Sequence, residues 1–599
     1  MFDPMTLSMP YIDIPPALIM VAGALVLPIL KGRLRSAWMT GLPLLALVTL
    51  LSVPNGTHWT VPFLDYQLVF GRIDALSRVF GTIFCIAAFA GSVYAMHEDD
   101  ALAHTSAMIY AGSAVGVTFA GDFFSLYVFW EFMAVASTFL ILARRTEKAQ
   151  KAAFRYIMIH ILGGLSLMAG IVLQIQETGT IAFSAIELAS PASWFIFVGV
   201  AVNAAVYPMH AWLKDAYPEA TVTGAVFLSS FTTKSAVYTM ARIFAGTEIL
   251  IPLGLAMALI PLCYAVIENN MRRVLAYSLI NQVGFMIVGI GIGTDLAING
   301  VAAHAVCHIL YKSLLFMGAG AVIHQTGKQN LSDLGGLFRF MPWTATFCIV
   351  GGLAMSTPYF CAFVSKSMII SAAAHEHLLL AWFILQFTAV GVFAYVGIRV
   401  PFLTFFHRDS GLKPAEAPWN MRIAMGFTAL GCVYVGIHHE VLYNMLPFAA
   451  DYEPYTAAHV IGQLQLQFFG TLAFFLLLAK GLLPKLSKAT FLDTDWFYAG
   501  AGRVLYVIFD KVLNGINTAC DALFVKGLTG RVNRFAQGAP ESIAVALMAP
   551  FTHLFGKGNP SQADVSDRVR LAFRTGTVPS GVGAFIAVLF IFLLYAVRG

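Results

Sequence analysis

Three ionisable residues lie inside long apolar stretches of the sequence, where a charge is costly. Glu131 stands in LYVFWEFMAVAS, Lys234 in SSFTTKSAVYTMARIF and Lys366 in STPYFCAFVSKSMII. A charged side chain at the centre of a membrane helix costs at least about 2.5–3.5 kcal/mol, so such a residue indicates function by default. We therefore predict that all three take part in proton or ion transfer. Packing of a neutral carboxyl group and snorkelling of a lysine are the alternatives.

A second group follows in HAVCHILYK, which contains His304, His308 and Lys312. Spacing of four residues puts all three on one face of a helix, about 6 Å apart along the axis. A neutral imidazole both donates and accepts a hydrogen bond, so stacked histidines can relay a proton. Two histidines four residues apart also suit a metal ion, but no nearby carboxylate is evident, and we predict no metal. Polar packing between helices stays an alternative.

The rest of the sequence must place these residues in a membrane. The chain has 599 residues, of which 59% are hydrophobic and 11% charged, whereas soluble chains carry about 25% charged residues. Apolar stretches of about 18 residues or more, without two-residue alternation, exclude a soluble enzyme, a disordered chain and a β-barrel. The net charge of +5 gives no reason to expect a nucleic-acid partner, and seven singly scattered cysteines suggest no cofactor.

Sixteen apolar runs are candidates for membrane spans. They fall at about 12–30, 37–53, 75–96, 101–121, 122–143, 153–175, 192–212, 220–244, 247–267, 273–293, 297–324, 342–373, 378–405, 421–439, 458–483 and 581–597. Most Lys and Arg residues lie in loops after odd-numbered runs, although Arg72 and Arg78 lie near the second loop. Because basic loops stay cytoplasmic, we predict a bacterial-type inner (cell) membrane protein with both termini on the non-cytoplasmic side.

Proline interrupts two of these runs, at Pro208 in AVNAAVYPMHAW and at Pro358. An opened helix is tolerated in a membrane only where protein or water covers its backbone. Broken helices in corresponding places of two halves predict an inverted repeat with ion sites near the midplane; two unrelated prolines are the alternative. Segment 490–575 is moderately polar, with apolar residues at helical spacing. We predict a lateral amphipathic segment on the cytoplasmic side, an ordinary loop being the alternative.

Several motifs together resemble one known family. In chain order they are WEFMAVASTFLI, WLKDAYPEATVTGAVFLSSFTTKSAVYTMAR, ENNMRRVLAYSLINQVGFMIVGIG, HAVCHILYKSLLFMGAGAVIH, GGLFRFMPWTATF and FVSKSMI. Over roughly residues 70–410 the chain resembles the antiporter-like subunits of respiratory complex I and of Mrp-type cation/proton antiporters, including the D-type subunit of sodium/proton antiporters. The lateral segment resembles the largest, distal subunit of those complexes more loosely.

The resemblance implies an all-α polytopic membrane protein with two inverted five-helix repeats, each of which forms a half-channel. The predicted domains are N-terminal helices (1–100), a first half-channel repeat (101–245), a second half-channel repeat (246–410), C-terminal helices (411–489), the lateral segment (490–575) and a final helix (576–599). The resemblance also implies a pathway: a first-half glutamate, a connecting lysine, a central relay and a terminal group, matched by Glu131, Lys234, then His304, His308 and Lys312, and Lys366.

One position departs from the family pattern. The family's first-half lysine precedes the helix break in a pattern like K-x-x-x-x-P-x-H, and Asn203 stands there in this chain. Asparagine cannot carry the charge that would pair with the glutamate. His160, His210 and Lys234 are the candidates to replace it, so Asn203, His160 and His210 are predicted accessory residues.

These features predict a proton-translocating, antiporter-like member of a multisubunit complex, with other membrane subunits and lipid as partners. We predict no cofactor, metal or catalytic centre in the chain. Exchange of protons for Na⁺ or K⁺ stays open, with the hydroxyls near Lys234 as ligands. A purely structural subunit stays open, as do a hydrogenase-like or inorganic-carbon module and a subunit of an NADH:quinone oxidoreductase-like complex.

Overall fold

The computed structural model describes residues 13–484, 486–488, 492–555, 561–574 and 580–598. The chain separates into two units, one ending at Asp495 and the other beginning at Trp496. Long apolar sequences satisfy their backbone groups within helices, which is why helix dominates both units. Among the described residues, ten helices are long and apolar enough to cross a membrane. The chain is a polytopic α-helical membrane protein, and sixteen crossings stay a prediction.

Two helices and a hairpin open the first unit. They are α1 (Pro16–Ala24), α2 (Gly32–Ser52), β1 (Gly56–Phe63), β2 (Tyr66–Ile73) and then α3 (Ala75–Ala95). The two strands are antiparallel. The predicted all-α fold did not include this hairpin. The residues of the hairpin fall between two of the predicted apolar runs.

The first repeat contains five helical passes, two of which are interrupted. They are α4 (Ala101–Phe119), α5 (Phe123–Leu142), α6 (Glu147–Thr178), α7 (Pro191–Asn203) with α8 (Ala211–Ala216), and α9 (Val222–Ser230) with α10 (Thr232–Ile243). The second repeat follows the same plan. Its helices are α11 (Leu250–Ile267), α12 (Met271–Ile292), α13 (Asp295–Thr326), α14 (Pro342–Leu353) with α15 (Cys361–His375), and α16 (Leu379–Val392) with α17 (Arg399–Phe405).

A constant offset of 148 residues relates the second and third helices of the two repeats. Asp122 pairs with Ala182 through an isolated β-bridge, and Asn270 pairs with Asn330, each 148 residues later. The third helices, α6 and α13, are both 32 residues long and both end at a left-handed glycine. Because each repeat makes five passes, an odd number, successive repeats have opposite orientations.

The two breaks predicted from proline are confirmed. Residues 204–210 separate α7 from α8, and residues 354–360 separate α14 from α15. Ala205 and Tyr359, one in each break, have φ of 55° and 67°, a left-handed conformation that is strained for residues with a side chain. The same kind of break therefore occurs in the fourth pass of both repeats.

Two further interruptions carry no proline. Phe231 alone separates α9 from α10, and a π-helical turn, Phe393–Ile398, separates α16 from α17. Both lie in the fifth pass of their repeat. The predicted run 378–405 is one apolar helical span, Leu379–Phe405, with the π-helical turn inside it. The predicted run 220–244 is interrupted at Phe231, because a helix can open without proline where surrounding protein satisfies its backbone.

Three helices follow the repeats, and five helices follow Asp493. The first set is α18 (Trp419–Ile437), α19 (His439–Tyr443) and α20 (Ala457–Ala479). The second set is α21 (Asp495–Tyr506), α22 (Asn514–Cys520), α23 (Thr529–Phe555), α24 (Gln562–Arg574) and α25 (Ser580–Arg598), with π-helical turns between α21, α22 and α23. Residues 495–555 thus form one helical run, while the lateral position predicted for 490–575 stays a prediction. Residues 490–491, 556–560, 575–579 and 599 of the predicted segments lie outside the described residues.

Glycine allows helices α11 and α12 of the second repeat to approach each other closely. A Cβ atom at Gly284 in α12 would lie 2.7 Å from the backbone nitrogen of Ala258 and 2.7 Å from the carbonyl oxygen of Gly254 in α11. We predict that Gly284→Ala lowers stability by about 1–3 kcal/mol, because the two backbones must separate. Thermal unfolding in detergent measures this. Gly462→Ala, in α20, is the control, because nothing lies within 4 Å of its Cβ position; equal stability of both variants would contradict the prediction.

Candidate functional site

Lys234 is held by the break at Phe231. The break leaves the carbonyl oxygen of Ser229 outside the regular helix pattern, and Lys234 Nζ donates to it at 2.6 Å. The lysine side chain is fully buried. A buried ammonium group needs such partners, because burial removes its water. The interrupted helix thus supplies the oxygen that the lysine requires.

Lys366 is held in the same way by the break between α14 and α15. Its Nζ donates to the carbonyl oxygen of Met355 at 2.7 Å and to Ser356 Oγ at 3.2 Å. It also lies 5.2 Å from the ring centroid of Phe285, within the range of a cation–π interaction. Two lysines on different helices therefore use the same arrangement: an ammonium group on carbonyl oxygen that a helix break exposes.

His304, His308 and Lys312 lie buried along α13, as their spacing predicts. The two imidazole rings stack with centroids 5.8 Å apart. His304 Nδ1 lies 2.9 Å from Ser365 Oγ, next to Lys366, and Lys312 Nζ donates to Ser278 Oγ of α12. No third metal-binding side chain joins the two histidines within the described part of the chain.

The three groups converge on α13. Ser365, which precedes Lys366, contacts His304. Ser230, which follows the Ser229 carbonyl group that holds Lys234, contacts Ser313, which follows Lys312. Neither nitrogen of His308 has a hydrogen-bond partner among the described residues. The structure brings all five of these predicted residues together.

Polar residues that the sequence did not single out extend this group. Tyr311 donates to Gln282 Oε1 at 2.9 Å, and Gln282 donates to Asn281 on the same helix. Asn281 in turn donates to the carbonyl oxygen of Ala258. The sequence contained a signal for these residues, because Asn281 and Gln282 are adjacent amides inside a predicted membrane span. Such amides are costly to bury unless they are hydrogen-bonded.

Hydroxyl groups connect the break at Phe231 to its neighbours. Ser230 Oγ lies 3.0 Å from Ser313 Oγ of α13, and Thr232 Oγ1 lies 2.7 Å from the Tyr110 hydroxyl of α4. Tyr110 also accepts a hydrogen bond from the Thr232 backbone at 2.9 Å. These contacts fix the broken fifth pass against both repeats.

Asn203 and His160 form a pair in the first repeat. His160 Nδ1 lies 2.7 Å from Asn203 Oδ1, and both side chains are buried. Tyr156 and Trp212 pack on the imidazole, with ring centroids 4.1 and 4.6 Å away. Of the three candidates to replace the family lysine, His160 is thus the one that contacts Asn203. His160 also precedes His308 by 148 residues, so the two histidines occupy equivalent places.

Glu131 stands apart from this pair. Its carboxylate lies beside Tyr127 and against Gly164 of α6, where a methyl group would overlap it. Gly164 precedes Lys312 by 148 residues, so the first repeat has a glycine where the second has its central lysine. Among the described residues Glu131 forms no ion pair, and its Oε1 has no hydrogen-bond partner. The structure does not join Glu131 to Asn203, His160 or His210.

His210 belongs to a separate buried cluster. Asp493, in the segment after α20, lies 3.4 Å from His210 Nε2 and 3.2 Å from Lys214 Nζ, and it accepts a hydrogen bond from Tyr277 at 3.1 Å. Thr494 adds a hydrogen bond to the carbonyl oxygen of Pro208 at 3.1 Å. Burial alone would raise the pKa of Asp493, but the neighbouring His210 and Lys214 outweigh it and hold the pKa well below its usual range.

Comparison with known proteins finds a family match over most of the two repeats. Residues 120–391 match the family described as "NADH:quinone oxidoreductase/Mrp antiporter, TM". This part of the chain therefore carries the membrane domain of that family, and it makes up a little under half of the sequence. The matched range contains Glu131, Lys234, the α13 group and Lys366, and it ends inside α16.

Two relatives and one solved structure are similar to the chain. A probable K(+)/H(+) antiporter subunit (type A/B) of Rhizobium meliloti (strain 1021) is 30% identical over 61% of this chain and 40% of its own length. "Hydrogenase-4 component B" of Escherichia coli (strain K12) is 28% identical over 43% of each chain. The chain thus spans about two fifths of the length of these relatives. A chain of the Mrp complex from a Dietzia species shares the fold, with a TM-score of 0.72 and 22% identity over 94% of this chain and 69% of its own.

The Asp493 cluster generates a test of stability. We predict that Asp493→Asn lowers the free energy of unfolding by about 3–5 kcal/mol, because it removes the buried carboxylate that faces Lys214 and His210. A lowered native pKa stabilises the fold at pH values above the unfolded pKa of about 3.9. The difference from the unsubstituted chain should therefore persist from pH 8 down to 5 and shrink only in stronger acid.

Thermal unfolding across this pH range measures that difference. Asp451→Asn is the matched control, because Asp451 is exposed. A loss of stability in Asp451→Asn as large as that in Asp493→Asn would contradict a specific role for the buried cluster.

Proposed function

We propose that the chain is a proton-translocating subunit of a multisubunit membrane complex. One observation carries the proposal: three buried lysines and two buried histidines, from α10, α13 and α15, converge within the bundle. Side chains of this type are expensive in such a place, so a bundle retains them for the transfer of charge. The family match over residues 120–391 supports the same proposal.

The proposed pathway runs from Glu131 past Lys234, through the α13 group, to Lys366. Neutral His308 accepts a proton at one ring nitrogen and releases one from the other, and His304 stacks directly next to it. Each lysine loses a proton to its neighbour and returns to its oxygen partner, a carbonyl group for Lys234 and Lys366 and the Ser278 hydroxyl for Lys312. Because like charges repel strongly at low dielectric constant, protonation of one site alters the occupancy of the next.

Exchange for Na⁺ or K⁺ is the second candidate, suggested by the name of the Rhizobium relative. The hydroxyls near Lys234 were predicted as the cation ligands. Ser230 is engaged with Ser313, Thr232 with Tyr110, and Ser229 Oγ with the carbonyl oxygen of Val226 at 2.7 Å. These three engaged groups favour transfer of protons at this place, while the Oγ1 of Thr233, the fourth predicted ligand, has no hydrogen-bond partner among the described residues. A flux measurement with isotopic sodium tests the alternative.

The setting of the protein follows from the same proposal. Other membrane subunits are the proposed partners, since the chain resembles subunits of larger assemblies such as the Mrp complex. We also propose a bacterial-type inner membrane with both termini on the non-cytoplasmic side. A hydrogenase-like or inorganic-carbon partner module is the alternative setting, favoured by the likeness to "Hydrogenase-4 component B".

Lys312 provides the main test. We predict that Lys312→Ala lowers proton flux in membrane vesicles at least about a hundredfold, because a positioned proton-transfer group contributes that much or more. Lys312→Arg should be equally inactive, since arginine keeps the charge but does not release a proton. Lys328→Ala, at an exposed position, is the control. Normal flux in Lys312→Arg would show that only the positive charge matters and would refute the relay.

Glu131 tests whether the first repeat takes part. We predict that Glu131→Gln lowers proton flux about tenfold or more, because the amide cannot carry the proton that the carboxyl group exchanges. Glu177→Gln, at an exposed position on α6, is the matched control. Unchanged flux in Glu131→Gln would remove Glu131 from the pathway while leaving the α13 group in place.

A further inference from the structure

Helix α20 carries two buried glutamines although it faces outward elsewhere. Gln463 and Gln467 are 8% and 5% exposed, whereas Gln465, between them, lies on the exposed face. The helix lies beyond the family match, which ends at residue 391, so the match assigns no role to these glutamines. A buried amide costs free energy unless it is hydrogen-bonded, so each of the two needs an explanation.

Gln467 reaches the break that holds Lys366. Its Nε2 donates to the carbonyl oxygen of Ser356 at 2.6 Å. Ser356 Oγ is also a partner of Lys366 Nζ, at 3.2 Å. One residue of the break therefore connects the terminal lysine of the proposed pathway with α20.

Gln463 has no such tethering role. It makes no hydrogen bond to a described residue, yet it lines a small pocket together with Lys366, Gln386 and His459. Gln386 Oε1 is also buried without a partner among the described residues. The pocket volume of about 10 Å³ is close to the room that one water molecule needs, and its polar groups suit water.

His459 continues this face toward the beginning of α20. Positions 459, 463 and 467 are four residues apart, so the three side chains extend over about 12 Å of one face of the helix. His459 is half-buried, its ring stacks on Phe363 at 4.8 Å, and its Nδ1 lies 2.8 Å from the carbonyl oxygen of Pro454 in the loop before the helix. The face therefore runs from Lys366 to the end of the bundle.

We infer that His459, Gln463 and Gln467 form the outlet through which a proton leaves Lys366. The inference rests on the proposed function, because it requires Lys366 to release protons. The ammonium group passes a proton to a water molecule oriented by the Gln463 amide. His459 accepts this proton at Nε2, because its Nδ1–H donates to the Pro454 carbonyl oxygen, and then releases it from Nε2 to solvent. Gln467 fixes the break so that Lys366 faces this outlet.

Proton flux in vesicles that carry the full-length chain in its complex tests the inference. Gln463→Leu keeps the size of the side chain but removes its hydrogen bonds, and we expect flux to fall about tenfold. Gln465→Leu, two residues away on the exposed face, should conduct normally. Lys366→Ala is measured in parallel: if its flux is normal, the proposed function fails at this site, whereas loss in Lys366→Ala with normal flux in Gln463→Leu overturns the outlet alone.

A second measurement separates a wet outlet from a packing role. A cysteine in Gln463→Cys should react with a charged, membrane-impermeant thiol reagent, because the outlet is open to water at the His459 end. The Gln465→Cys variant and the unsubstituted chain set the background from lipid-facing and native cysteines. Labelling of Gln463→Cys no faster than this background would overturn the outlet.

Discussion

Positive charge buried beside opened helices is the constraint on which the rest of this structure depends. Lys234 and Lys366 sit on different repeats, yet each donates to a carbonyl oxygen that a break exposes, at 2.6 and 2.7 Å. In a continuous helix these carbonyl groups would be paired with backbone N–H groups, so each break supplies an acceptor that its lysine would otherwise lack. The strained Tyr359 belongs to the break that holds Lys366, and the hydroxyl contacts around Phe231 fix the break that holds Lys234.

The two repeats keep one backbone plan but distribute charge differently. Equivalent β-bridges and equal third helices show how closely the plan is kept. In the second repeat the third helix carries Lys312, and in the first repeat Gly164 stands at the equivalent place and gives room to Glu131. Asn203 adds no charge to the first repeat. The buried anion of that region, Asp493, comes from the segment after α20 and pairs with the half-helix beyond the break.

Sequence alone located the charged residues better than their surroundings. Lys234, His304, His308, Lys312 and Lys366 stand out because ionisable groups in apolar runs are rare. The opening at Phe231 and the π-helical turn escaped prediction, since neither contains proline and both depend on tertiary contacts. Asp493 could not be foreseen, because His210 is nearly three hundred residues away in the chain. Gln463 and Gln467 escaped because an uncharged amide in an apolar run is less conspicuous than a charge.

The described surroundings of the central group contain cations and neutral polar side chains, with no carboxylate paired to Lys234, Lys312 or Lys366. Positive charges on these three lysines repel one another, and this repulsion is weakly screened inside a bundle. A proton on one lysine therefore disfavours a proton on another, and the effect is the same in both directions. A line of bases without buried counterions thus couples the protonation of its sites, and the helix breaks supply the oxygen partners of Lys234 and Lys366.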